Sequence, residues 1–439
     1  MDGSPIAASN RATVMRNSGT IDFTDGCLVV AIAIAMFWAV DPFGLHLWRP
    51  SATRHIPILT AVGAVFLGAA GRLLNRPEAL QELVCAFRTY LALSVLAVFV
   101  IVGSLYARFA LGNGNTFITI GVFLLLGGPI NLWIVGTSNA PLAMVRSITV
   151  VFFGISFLGV AAAAVQPIGL VYHSMEHIVL ASMAFPLLFG KKIWFRAIGV
   201  VLVVLGTVAP NKLTGYIVML MIFGWVYLDE LMIWTAKDRD RVRAGLRTCL
   251  GIMAALLVTP ALFVVYQSTK SHLADGNTVF RTHNYEMAFN RFLDSWIWGR
   301  GFAAPSVDYF DVFVVNVSTQ YLPTHSDPLD ILANGGLIAA VPFVLGLLSM
   351  ILAGWKALDT SRKPGSPHQR DLRPQLAMYF LIVVTGLSVM AFNPVLNQAS
   401  LAYTYWTASA AMYSLVAAMK TDMASVTPFS EALRGRAKP

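Results

Sequence analysis

Apolar stretches close to the twenty or so residues that a helix needs to cross a bilayer's hydrocarbon core recur from residue 27 almost to the end of this chain. A segment in lipid must satisfy its own backbone, which leaves the α-helix or the closed β-barrel. The runs are continuous rather than alternating, so helices are expected. They fall at 27–47, 56–74, 89–109, 117–138, 145–165, 174–190, 194–209, 213–234, 247–266, 329–354, 375–392 and 399–418, about twelve spans of bilayer length. With 57% hydrophobic and only 12% charged residues, lipid must supply what a soluble core cannot. The expected fold is all-α, a polytopic transmembrane helix bundle with one large outer loop that holds short interfacial helices.

Basic residues fix the expected orientation. If the N-terminus is cytoplasmic, the inside connections collect Arg72, Arg76 and Arg88, then Lys191, Lys192 and Arg196, the Lys237 to Arg247 run, and Lys356 to Arg373. Outside connections are poor in them, with Arg49, Arg54 and Arg108 the exceptions, so the positive-inside rule is met. The layout is a cytoplasmic tail at 1–26, nine helices within 27–266, an outer loop at 267–328, three helices within 329–418 and a cytoplasmic tail at 419–439. The net charge of +9 is then a topology signal, and nucleic acid is not an expected partner. Cys27, Cys85 and Cys249 lie toward the cytoplasmic side, where no disulfide is expected. No small-residue cleavage pattern follows the first span, which reads as an uncleaved anchor.

Within the outer loop, Tyr285, Phe289, Phe292, Leu293, Trp296 and Ile297 recur at helical spacing, while Asn284, Asn290, Arg291 and Asp294 take other sides. This is an amphipathic helix suited to the outer membrane surface. Arg281, one turn before Tyr285, starts that helix on or near the apolar stripe. It is either an ordinary snorkelling arginine or a bidentate partner for a lipid diphosphate. Trp298-Gly299-Arg300-Gly301-Phe302 follows, its glycines permitting a tight turn. The loop closes with Thr324-His325-Ser326-Asp327-Pro328, where Asp as N-cap and Pro in the first turn begin a helix. His325 therefore sits just outside a helix N-terminus, a place that suits an anion. It reads either as a helix-end histidine or as a general base.

Lys212 lies in Thr207-Val208-Ala209-Pro210-Asn211-Lys212-Leu213-Thr214-Gly215, a short outside connection facing the same surface as the loop. A cation at a helix start opposes the helix dipole, so an anionic ligand or a lipid headgroup is the expected neighbour. Asp327, Arg291, Arg300 and His177 are secondary candidates, and Asp41, His173 and Glu176 also stand at edges of apolar runs, where ionisable groups invite attention. No metal-ligand spacing, phosphate-binding loop or dinucleotide fingerprint is present, so no metal, cofactor or nucleotide-driven chemistry is expected. Asn316-Val317-Ser318 matches a glycosylation acceptor, a pattern common by chance.

His325-Ser326-x-x-Leu329-x-x-Leu332-x-x-x-Gly336-Leu337 resembles the loop-exit motif of the O-antigen ligase and Wzy-type O-antigen polymerase superfamily of bacterial envelope glycosyltransferases. Arg281 with its aromatic helix and Gly299-x-Gly301 resembles that family's loop entry. His177 to Leu188, and then Asn211-Lys212-Leu213-Thr214-Gly215, resemble the helices that lead to its Ser-Arg-x-Gly-like turn. The resemblance covers about residues 170 to 350. Lys212 stands where the turn usually carries Arg, and Asn334 where an acidic residue is common.

The resemblance implies a multi-pass protein of the bacterial inner membrane with a periplasmic site and both termini cytoplasmic. The implied reaction is metal-independent, en bloc transfer of an undecaprenyl-diphosphate-linked glycan to an acceptor sugar, either lipid A core or a second lipid-linked glycan. His325 and Arg281 are the catalytic residues so implied, and Arg281 with Lys212 the diphosphate contacts. Polysaccharide export or chain-length proteins are the further partners it leaves room for. Two other readings remain open at this point: a lipid-linked oligosaccharide flippase or other transporter, and a non-catalytic subunit of an export complex. The loop between the ninth and tenth spans breaks the six-plus-six pattern that paired transporter halves display.

Overall fold

The computed structural model describes residues 21–43, 56–75, 79–111, 117–165, 174–189, 193–210, 212–234, 276–302, 326–361 and 367–435. Among these residues there is no strand. Six helices are long and apolar enough to cross a membrane. They are α1 (Phe23–Val40), α4 (Leu91–Ala110), the interrupted helix from Ile118 to Gly136, α7 (Pro141–Val165), α13 (Asp327–Ser361) and the 371–392 part of α14 (Pro367–Phe392). Shorter apolar helices are α2 (Ile56–Asn75), α8 with α9 (Glu176–Met183 and Phe185–Phe189), α10 (Ile193–Val208) and α11 (Leu213–Trp234). The amphipathic α3 (Ala79–Thr89) and α12 (Gly276–Asp294) complete the set with α15 (Ala399–Gly435). The run expected to span at 247–266 lies outside the described residues, as do Cys249 and His173.

The interrupted helix consists of α5 (Ile118–Leu125), a π-turn at Leu126–Ile130 and α6 (Asn131–Gly136). Pro129 sits inside the π-turn, and since proline has no N–H to give, the wider turn absorbs the missing bond. α15 is as buried as a helix in this chain can be: Tyr403, Tyr405 and Trp406 have no exposure. Its Thr407 accepts from Asn131 Nδ2 at 2.9 Å, and its Ser409 pairs with Tyr90 Oη at 2.7 Å. A helix shielded by others can carry hydroxyls and needs less apolar surface than one facing lipid. That is why it stands outside the six.

Polar contacts sort the helix ends onto two faces. At one, Arg72 at the end of α2 donates to Asp22 at 2.8 Å and pairs with the fully buried Asp25 at the start of α1. Ser138 Oγ, just before α7, donates to Asp25 Oδ2 at 2.5 Å. A second clasp joins Asp229 of α11 to Arg373 of α14, whose guanidinium also meets Ser361 at the end of α13. The opposite face gathers the start of α8, the start of α11, the start of α13 and the 393–398 connection, as their contacts below establish. Cys27 and Cys85 are free thiols.

Burial alone would raise the Asp22 carboxyl, but hydrogen bonds from Thr24, the Asp25 N–H and Arg72 outweigh it and hold it at about 2. With its folded value below 3.8, Asp22 stabilises the fold above that pH, and the contribution is lost as pH falls toward 2. Arg72→Met removes the cation from two carboxylates, one of them fully buried. Breaking a buried pair from one side costs about 3 to 5 kcal/mol. Thermal unfolding in detergent is expected to show a much larger loss for R72M than for D22N, whose carboxylate is one-third exposed.

Candidate active site at one end of the bundle

The stretch from Asp327 onward is built around a broken helix. α13 begins at Asp327, runs nine residues and is interrupted at Gly336, whose φ of 56° and ψ of −157° are not helical. Such a break frees backbone groups that apolar surroundings would punish by several kcal/mol each. They are taken up by the Trp296–Phe302 turn. Leu337 N donates to Trp296 O at 2.9 Å, and Ile338 N to Ile297 O at 3.1 Å. Arg300 N and Phe302 N both donate to Asn334 O, at 2.9 and 3.0 Å. The turn and the break thus form one backbone-paired splice.

The glycines are what allow it. A Cβ at Gly299 would lie 2.5 Å from the Asn334 carbonyl carbon, and one at Gly336 would lie 2.4 Å from Ile297 O. Both residues have positive φ, which side chains resist. Phe302 also has positive φ. It is held there by complete burial, its ring edge-on to Phe99 and Phe117 at 5.8 and 5.7 Å. The Gly-x-Gly pattern is therefore a fitting for a helix break. Arg300, a secondary candidate, contributes its main-chain N–H while the residue itself is exposed.

Asp327 does not cap its own helix, contrary to expectation. Asp330 N bonds to Ser326 O at 2.9 Å, so Ser326 holds the cap position. The Asp327 carboxylate, with no exposure, instead accepts Val395 N at 2.8 Å and Leu396 N at 2.9 Å. Asp330 accepts Asn397 Nδ2 at 3.1 Å. The two acids bind the start of α13 to the turn ahead of α15. Asn334 donates Nδ2 to Asp330 O at 2.8 Å.

α12 lies along this short first segment, its Ala288 packed on Ala333, with Met287 and Leu329 beside them. Asn284 and Arg291 face inward with Ala288, at 1% and 8% exposure. Phe289, Leu293 and Trp296 are exposed on the other side. That is the division of a helix seated on a membrane surface. Arg281 lies in the first turns of α12, three residues before Asn284. His325 lies outside the described residues, two positions ahead of the anchored Asp327.

On the same end, Lys212 precedes α11 and is turned inward. Its Nζ lies 3.6 Å from Glu176 Oε1, at the first turn of α8. His177 is fully buried, its ring against Tyr405 at 5.8 Å. Tyr405 donates to Val383 O at 3.2 Å. Glu176 and His177, neighbours at the start of α8, thus meet Lys212 ahead of α11 and Tyr405 of α15 respectively. Tyr405 and Asp330 were not singled out in the sequence, because a tyrosine in an apolar helix and a second acid in a first turn look ordinary there. Asp41, also a candidate, closes α1 in a left-handed conformation, its N–H on Phe37 O at 2.9 Å. Among the described residues no group of three or more His, Cys, Asp or Glu could hold a metal.

The fold and this end of it define a helical membrane protein whose buried polar groups meet beside a loop exit. Residues 195–344 match the family model of the O-antigen ligase domain. That stretch, about a third of the chain, is similar to the O-antigen ligase domain. No curated protein matches it.

The splice predicts a graded response. Gly299→Ala and Gly336→Ala drive a methyl into backbone and are expected to lower the melting temperature in detergent sharply. Gly301→Ala enters open space at a φ of 59° and is expected to cost only the about 1 to 2 kcal/mol of left-handed strain. Equal effects at all three would remove the splice as the reason for these glycines.

Proposed function

We propose that this protein moves a glycan en bloc from an undecaprenyl-diphosphate carrier to an acceptor sugar at the periplasmic face of the bacterial inner membrane. The observation that carries the reading is the span of the O-antigen ligase match, residues 195–344, which contains Lys212, Arg281 and His325 together. The Lys212–Glu176 pair and the anchored start of α13 agree with it.

In this reading the bond between the sugar's anomeric carbon and the diphosphate oxygen breaks, and a bond to the acceptor oxygen forms. The acceptor hydroxyl must lose its proton, and a neutral imidazole at His325 takes it. The departing diphosphate keeps the bonding electron pair, and Arg281 and Lys212 balance its charge. Arg281 suits a bidentate oxygen pair and Lys212 acts as a point charge. The leaving group is already activated, so no nucleotide is called for. Both lipid A core and a second lipid-linked repeat fit as acceptor.

His325→Ala and Arg281→Ala are expected to abolish attachment or elongation of surface polysaccharide while protein level in the membrane stays unchanged. Normal glycan in either variant removes that residue from the mechanism. In a deletion strain, long unattached chains identify a ligase and single repeat units a polymerase. Purified protein in liposomes that moves carrier across the bilayer without transferring glycan would replace this reading with a flippase.

A further inference from the structure

Lys212 is the one proposed diphosphate contact whose side chain is described, and its ammonium is not presented to the outside. It is buried against Glu176, although the side chain as a whole keeps 22% exposure. Glu176 is 2% exposed, and its second oxygen, Oε2, has no hydrogen-bond partner among the described residues. Thr214 is the other side chain near the carboxylate, and a Cβ at Gly215 would come within 3.9 Å of Glu176 Cγ. A carboxylate with one oxygen on a lysine and the other unmatched is an incompletely satisfied buried acid. At 3.6 Å the pair is also too long for a strong charge-assisted hydrogen bond. Such a lysine can be drawn away. Its four-carbon stem swings freely as a point charge, whereas an arginine would lock two-pronged onto the same carboxylate. The lysine and the buried acid beside it therefore belong to one arrangement.

We propose that Glu176 is the resident counter-ion of Lys212, a positioning residue that holds the ammonium inward between turnovers and gives it up to the incoming lipid diphosphate. The inference rests on the reading of Lys212 as a diphosphate contact. Capture of the donor then works against the Glu176 pair, and re-formation of the pair helps the product carrier leave. Affinity is set below what Lys212 alone would give, in exchange for faster release.

The test uses the full chain in detergent, with undecaprenyl diphosphate, the carrier without glycan, as the probe. Glu176→Gln keeps the shape and removes the charge. It is expected to bind the carrier about tenfold more tightly, the equivalent of about 1.4 kcal/mol. In transfer assays it lowers KM for the lipid-linked donor and lowers kcat together, because release slows. A residue with a merely structural role would lower the amount of folded protein without moving KM downward, and a group acting on the reacting atoms would lower kcat at constant KM. Either result, or unchanged or weaker carrier binding, overturns the proposal. Glu176→Asp retains the charge but shortens its reach. It is expected to tighten binding in the same direction by a smaller factor, and it decides the matter if the glutamine variant does not fold. Lys212→Met separates the two levels. Carrier binding unchanged from wild type removes Lys212 from the diphosphate site and the proposal with it. Weakened binding in K212M with no tightening in E176Q or E176D leaves the functional reading standing and removes Glu176 alone.

Discussion

Unpaired backbone in an apolar environment is the condition around which this end of the molecule is arranged. α13 is interrupted at Gly336, and an interruption there would expose two N–H groups and a carbonyl to surroundings that offer no water. The Trp296–Phe302 turn answers that demand group for group. Because α12 leads directly into the turn, the position of the whole amphipathic helix follows from this pairing. So does the placing of Asn284 and Arg291 toward the protein and of Phe289 and Leu293 away from it. Irregular backbone tied down on both sides is a rigid support for a site, more so than a free loop of the same length.

The other half of the support is electrostatic. Asp327 and Asp330 spend their side chains on the turn before α15, satisfying N–H groups at a helix approach as capping residues do, but across a large separation in sequence. On the opposite face, Arg72 and Arg373 each gather a carboxylate from another helix. Lone charges in such places would be costly, and pairing is what makes them tolerable. The bundle is thereby pinned at both ends while its middle relies on packing, as in Phe152 against Tyr379 and Trp225 against Phe380.

Much of this was legible in the residues. Apolar length marked the helices, the spacing from Tyr285 to Ile297 marked α12 though the helix ends at Asp294, ahead of Trp296 and Ile297, and the Asp327-Pro328 pair marked where α13 begins. What sequence could not supply were contacts made by residues far apart. Asp327 has the composition of an N-cap, and only the position of Val395 reveals a different use. Gly299-x-Gly301 permits a turn in isolation, but its need for glycine comes from Asn334 and Gly336. Glu176 showed only as an acid near a helix end until Lys212 was found folded back upon it.

The Asp327 anchor also bears on what a unit of this protein is. The recognisable stretch ends at residue 344, yet the carboxylate that fixes the loop exit finishes its bonds on residues 395 and 396. Likewise the ring facing His177 is supplied by Tyr405. A boundary drawn by likeness therefore cuts through the physical unit. The last two helices are part of the machinery's frame, and changes accumulated in that less recognisable tail would reach the loop exit through two backbone amides.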